Sequence, residues 1–301
     1  MTLDEGIERF IFTVATGRCG QASLTQLVQN HVPGCYPAFE EPQVRSILPR
    51  PFDTYERLFR RRFVETHELL GRGKVLRAFE SDDHDYIDAI VARRLRFTRN
   101  AMMQRRATLY FDISKFFARG LHVGFLKAAK RYALVNLVRD PIQNMRSFLN
   151  RDKRFTLDNS LPEARSNILR ISSPDLAPGE FYLWSWCELN LRYERMSQSN
   201  AVTHAIEILT EHLEDAQRMN AAFDALGLVH SPVVPLLPDN TNLEKGLPAT
   251  TATEADIKLF ECFLDRIPTQ LRDRIPYLKG YDPWAIHEFR NAKERAPARA
   301  Q

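Results

Sequence analysis

The seven residues RFIFTVA, Arg9 to Ala15, are mostly β-branched or aromatic, and Gly17 follows at once. So short and apolar a run predicts a strand buried on both faces. From Gly20 to about Asn30 the period changes to that of a helix, with Leu24, Leu27 and Val28 on one side. HVPGCYPAFEEPQ then breaks the pattern with three prolines and reads as loop. Helical spacing returns from Asp53 to about Leu70 and from Asp85 to about Met103. ATLYFDIS reads as a second strand, VGFLKAAKRY as a helix and YALVNLVRDP as a third strand. Asp140 suits a helix N-cap and Pro141 the first helical position, so a helix is expected from Pro141 to about Asn150.

Arg151 to Gly179 is polar and dotted with proline, and reads as irregular. EFYLWSWCELNLRYERM is helical, with its tryptophans, Trp184 and Trp186, read as core, and VTHAIEILT is a fourth strand. EHLEDAQRMNAAFDALGL is a helix stopped at Gly227. A proline-rich loop, a helix from about Glu254 and a fraying tail, NAKERAPARAQ, complete the chain. Strands alternating with helices predict an α/β fold with a central parallel β-sheet flanked by helices. The expected organisation is one domain over residues 1–290, helical insertions near 52–106 and 151–200, and a flexible tail at 291–301.

Composition narrows this picture little. At 301 residues, 44% hydrophobic and 27% charged, the chain buries an ample core without staples. Its apolar runs fall short of the roughly 20 residues that span a membrane. MTLDEGIERF lacks the basic and apolar regions of a signal peptide, and Cys19, Cys35, Cys187 and Cys262 show no metal-ligand spacing. A cytoplasmic protein without structural zinc is expected. The net charge is +4, but arginine concentrates between Arg57 and Arg106. That stretch is either a set of solvated helix faces or a basic wall over a cleft for an anion, and no nucleic-acid signature accompanies it.

In an open parallel sheet, ligands lie at the carboxyl ends of the strands. After the first strand comes TGRCGQAS, Thr16 to Ser23. It is either a plain strand-to-helix turn or a cradle in which helix-start amides and Arg18 meet a phosphate-like group. The lysine of the loop G-x-x-x-x-G-K-[ST] is absent. After the third strand comes Arg139, and Ser147 lies two helical turns past Asp140, so both can meet one anion.

Together, TGRCGQASL and LVRDPIQNMRS, about 120 residues apart, resemble the two signature segments of sulfotransferases that use 3′-phosphoadenosine 5′-phosphosulfate (PAPS). The resemblance implies a P-loop-like sulfotransferase fold with helical cap insertions. It implies that Arg18, Cys19, Gly20, Gln21, Ala22 and Ser23 hold the 5′-phosphosulfate, and that Arg139 and Ser147 hold the 3′-phosphate. Gln21 and Ala22 stand where hydroxyl residues are common in the family. Glu41, in the pair Glu41-Pro42, matches the family's base, with Glu40 beside it, and Arg18 would steady charge on the leaving phosphate oxygen. Lys245-Gly246 is similar to a late loop that closes over the nucleotide.

Asp112, at the end of the second strand, is either an alternative base or, with Ser114, a cap for the next helix; Ser114 and Lys115 are further candidates to touch the sulfuryl group. The product would be 3′-phosphoadenosine 5′-phosphate, and the partner a small-molecule or saccharide acceptor. No metal, nucleic acid or membrane span is expected, and a homo-oligomer is left open. The alternatives are a nucleotide-binding protein with a degenerate site and a P-loop phosphotransferase, against which the missing lysine and magnesium hydroxyl count.

Overall fold

The computed structural model describes residues 7–39, 52, 55, 68–150, 164–171, 175–234 and 251–287. Its centre is a parallel sheet of five strands in the order β2-β3-β1-β4-β5. These are β1 (Arg9–Ala15), β2 (Cys35–Ala38), β3 (Leu109–Asp112), β4 (Tyr132–Val138) and β5 (Val202–Leu209). The helices of at least seven residues are α1 (Gln21–His31), α2 (Lys74–Glu80), α3 (His84–Arg105), α4 (His122–Ala128), α5 (Pro141–Leu149), α6 (Pro178–Ser197), α7 (Ala216–Ala225) and α8 (Glu254–Asp265). The short α9 (Thr269–Arg272) follows.

Strand alternation divides the core into two layers. Phe10, Phe12 and Val14 of β1 join Tyr132, Leu134 and Val138 of β4 in a large aromatic layer under α3 to α6. Ile11 and Ala15 join Ala133, Val135 and Leu137 on the other face, under Leu24, Leu27 and Val28 of α1 and Met219 and Phe223 of α7. Such strands are apolar at nearly every position, because a parallel sheet is covered on both sides. Trp184 and Trp186 are 0% and 1% exposed, so they belong to the core as expected.

The expected α/β sheet is present with one strand more. Cys35–Ala38, inside the stretch read as loop, pairs in parallel with β3, with Pro37 opposite Phe111. Proline is tolerated there because β2 is the sheet's edge and one side of it needs no N–H. α2 was also missed, and the single helix expected over 211–228 is two pieces. A 3-10 turn covers Thr210–Glu214, and Asp215 then leaves helical geometry and caps α7 through the Arg218 amide at 3.0 Å.

Residues 164–170 carry no regular element and are held by buried charge instead. Glu188 of α6 accepts from the amides of Ile168 (3.0 Å) and Leu169 (2.8 Å) and from Arg192 Nε (2.7 Å). Arg192 also donates to the Ala118 carbonyl at 2.6 Å and to Asn167 Oδ1. A buried pair contributes little over an apolar isostere, but breaking it leaves a bare charge. Glu188→Gln is therefore expected to lower unfolding free energy by about 3–5 kcal/mol in urea denaturation. A loss under about 1 kcal/mol would mean that Arg192 finds other partners.

Candidate functional site

All five strands run the same way, so their carboxyl ends share one edge of the sheet, and β1 is at its centre. The chain leaves β1 through Thr16, Gly17, Arg18, Cys19 and Gly20 before α1 begins. Gly17, Arg18 and Gly20 have φ of 92°, 63° and 87°, all left-handed. Alternation into this region curls a chain so that its amides line a concavity for an anion. Gly20 is required twice over: its φ disfavours a side chain, and a Cβ there would collide with Leu213 Cδ1. Arg18 adopts the same region with a full side chain, a strain typical of functional loops.

No side chain caps α1. The first amide to bond back is that of Leu24, to the Gly20 carbonyl at 2.9 Å. The donors before it are the orphan amides that every helix start leaves, at the positive end of its dipole.

The carbonyls of the loop face the other way, onto side chains. Thr16 O accepts from Arg119 Nη2 at 2.8 Å. Gly17 O accepts from Asn144 Nδ2 at 3.1 Å, and Tyr182 OH, whose one proton goes to Asn144 Oδ1, lies 3.3 Å from it. Arg18 O accepts from Asn144 Nδ2 and Arg139 Nη1, each at 3.1 Å. Cys19 O accepts from Thr210 Oγ1 at 3.1 Å. The negative ends of four peptide dipoles are thus occupied, which leaves the loop attractive to an anion.

The predicted residues fall into three groups. Arg18, Cys19, Gly20, Gln21, Ala22 and Ser23 come together at the loop and first turn of α1, and Arg139 joins them through its bond to the Arg18 carbonyl. Ser147, 3% exposed, lies on α5, whose start is fixed by Asp140 accepting the Gln143 amide at 2.8 Å. Burial pushes the Asp140 carboxyl up, but bonds from His287, the Gln143 amide and Tyr281 more than offset this and hold it below its ordinary value. Cys19 is 0% exposed, so it offers its backbone only. Burial raises its thiol above the ordinary value, against opposing contacts from the Gly17 backbone, the Arg139 charge and Thr16.

The second group is Asp112. It is 0% exposed and ion-paired with Arg94 Nη2 at 2.7 Å, and it accepts from Tyr110 OH at 3.1 Å. Through this ion pair Asp112 joins β3 to α3. Ser114 Oγ accepts the Phe116 amide at 3.2 Å in a local turn, and the 3-10 turn that follows, Phe117–Arg119, has no side-chain cap. The third group is Glu40, Glu41 and Lys245, which lie outside the described residues.

The structure surrounds Lys115, already a candidate in the sequence, with Arg72 and Arg119. Lys115, half-buried, runs against the loop: a Cβ on Gly17 would stand 3.1 Å from Lys115 Cδ. Its ammonium lies 4.9 Å from the centre of the Phe116 ring, which Arg72 and Arg119 also approach, at 5.6 and 6.0 Å. Gln21 is 6% exposed, and its Nε2 is a buried donor with no acceptor among the described residues.

No family model matches the sequence, and no curated protein does. The structure is similar to the sulfotransferase domain from the Synechococcus PCC 7002 olefin synthase, at 15% identity and a TM-score of 0.43, over 87% of this chain and 96% of that one. It is also similar to a sulfotransferase from Alicyclobacillus acidocaldarius, at 18% identity and a TM-score of 0.36, over 88% of this chain and 99% of that one.

Gly20→Ala tests the loop's shape. It is expected to cost about 2–4 kcal/mol in urea unfolding, from left-handed strain together with the collision against Leu213. Adding Leu213→Ala removes the collision only, so it should not restore stability. A cost below about 1 kcal/mol would mean that the loop readily takes another form.

Proposed function

We propose that the protein is a sulfotransferase that uses PAPS and passes the sulfuryl group to a hydroxyl or amine of a small-molecule or saccharide acceptor. The observation that carries this reading is the direct join of the two anion-suited segments. Arg139, at the end of β4, donates to the carbonyl of Arg18, 121 residues away in the loop after β1. A ligand with two separated anionic groups suits such a surface.

The residues present fit that donor. Gln21 Nε2 is a buried donor at the start of α1, and the loop's carbonyls are already occupied. PAPS supplies a sulfuryl group activated on its 5′-phosphate, with a 3′-phosphate as a second handle. In the proposal, the helix-start amides, Arg18, Gln21 and Ser23 receive the 5′ side, and Arg139 and Ser147 the 3′-phosphate. Arg18 steadies the charge that develops on the leaving oxygen, because a fixed cation there reorganises little during the reaction.

Glu41 is assigned as the base that takes the acceptor's proton, with Glu40 as its neighbour, and Lys245 belongs to a loop that closes over the nucleotide. The chain reaches Phe39 just past the carboxyl end of β2, on the edge where the other strands end. That position, with the resemblance of the Glu-Pro pair, supports the assignment.

A second reading, nucleotide binding without turnover, draws on one observation: Ala22 offers no side-chain donor and Gln21 is buried. Calorimetric titration with adenosine 3′,5′-bisphosphate, against ATP with magnesium, separates the donor reading from phosphoryl transfer. The bisphosphate is expected to bind, at least tenfold more weakly in Arg139→Ala, and ATP is not. The opposite preference would overturn the proposal. In sulfation assays over an acceptor panel, Glu41→Gln is expected to lower kcat by roughly 10²–10⁴-fold with bisphosphate affinity unchanged. Full activity in that variant would remove Glu41 as base, and bisphosphate binding without turnover of any acceptor would favour the second reading.

A further inference from the structure

Asn144 occupies a position in LVRDPIQNMRS for which the resemblance to sulfotransferases specifies no residue, yet the structure uses every polar atom of its side chain. The residue is 0% exposed. Its Oδ1 accepts from Thr16 Oγ1 at 2.7 Å and from the hydroxyl of Tyr182. Its Nδ2 donates to the carbonyls of Gly17 and Arg18, each at 3.1 Å. Two hydroxyls on the oxygen and two carbonyls on the nitrogen fix the orientation of the amide and fill its hydrogen-bonding capacity.

These four bonds join three elements. Asn144 is carried by α5, the helix that also carries Ser147 and begins next to Arg139. Thr16, Gly17 and Arg18 are the loop after β1, and Tyr182 belongs to α6. A shift of α5 therefore moves the Gly17 and Arg18 peptides, and a shift of the loop moves α5. An interior this tightly hydrogen-bonded transmits displacement, because each lost bond leaves a buried polar group bare.

We infer that Asn144 is a positioning residue that couples the two phosphate subsites, so that a ligand held by Arg139 and Ser147 orders the loop that receives its 5′ end. This rests on the donor reading proposed above. By linkage the coupling is reciprocal: an occupied loop steadies the start of α5 to the same extent. Asparagine suits the role because leucine would withdraw all four bonds at once, leaving the Arg18 carbonyl to Arg139 alone. Aspartate would keep the acceptor side but set negative charge against two carbonyls.

The readout is a ratio that a merely structural role leaves alone: the Kd of adenosine 3′-monophosphate over that of adenosine 3′,5′-bisphosphate, measured by calorimetry or displacement. Asn144→Ala is expected to leave 3′-monophosphate binding within about threefold and to weaken the bisphosphate about tenfold or more, the loss of roughly one to two hydrogen bonds. Asn144→Asp should weaken the bisphosphate further. Tyr182→Phe keeps the ring's volume and withdraws only the hydroxyl, so it carries the test if Asn144→Ala does not fold, and it should lower the ratio about threefold.

Equal weakening of both ligands, or of neither, in folded variants overturns the coupling. So would Asn144→Asp with wild-type affinity. A wild-type protein that does not bind the bisphosphate overturns the donor reading and this inference with it. Wild-type binding with an unchanged ratio in the variants overturns this inference alone.

Discussion

The shape of the loop after β1 depends on where its carbonyls go. Four in succession, Thr16 to Cys19, accept from Arg119, Asn144, Arg139 and Thr210. Three of those donors follow the ends of the other strands: Arg119 comes after β3, Arg139 after β4 and Thr210 after β5. The Thr210 hydroxyl lies 3.1 Å from the Val138 carbonyl as well and shares its one proton between the two, which brings the end of β4 to the same knot. Each such bond is worth about 1 kcal/mol net, whereas a buried carbonyl left without one costs about 1–3 kcal/mol. The loop is therefore stable only when the whole strand-end edge is assembled. Gly17 and Gly20 enter the left-handed region freely, whereas Arg18 is held there by that assembly.

The same dependence separates what the sequence reveals from what it hides. β1, β4, α1, α5 and α6 are legible because each is long enough for its apolar period to repeat, and because Asp140-Pro141 and Gly227 mark ends with known backbone chemistry. β2 is four residues long and contains Pro37, so every local signal argues against a strand; only pairing with β3 makes it one. α2 lies in a stretch that charge marks more strongly than period does. Asp215 interrupts a continuous helical pattern by preferring to cap. The residues of LVRDPIQNMRS that would meet a ligand are recognisable by type. Asn144 and Tyr182 are not, since half of Asn144's partners are carbonyls, which carry no sequence signature, and Tyr182 meets it only across the fold.

The arginine-rich stretch shows why charge read along a chain is ambiguous. Arg94, 1% exposed, is neither solvated nor part of a basic wall, being paired with Asp112 and donating to the Leu69 carbonyl at 3.2 Å. Arg93, Arg96, Arg105 and Arg106 are exposed, as solvated faces would be. Arg72 turns inward to the Phe116 ring beside Lys115 and Arg119, next to the loop. One run of sequence thus divides among structural, solvated and site-adjacent roles. The division follows helix phase, which puts Arg94 and Leu95 under α3 and Arg93 and Arg96 over it.

Gln21 and Ala22 are where this chain departs from the hydroxyl-bearing pattern it resembles, and the peptide geometry limits what that departure means. A cradle whose potential comes from backbone amides and the helix dipole keeps most of its attraction for a phosphate when two side-chain donors change. Ala22 retains its N–H at the first turn of α1, and Gln21 brings a buried Nε2 donor to the same turn. In the proposed reading, binding therefore tolerates these substitutions better than transfer does. Ground-state affinity sums over many peptide groups, whereas the reaction depends on the few donors aimed at the oxygen where charge appears. In the reading proposed above, Arg18 is the side chain assigned that second role. Its strained backbone is fixed at the carbonyl by Asn144 and Arg139, so the surrounding fold bears the cost of that conformation.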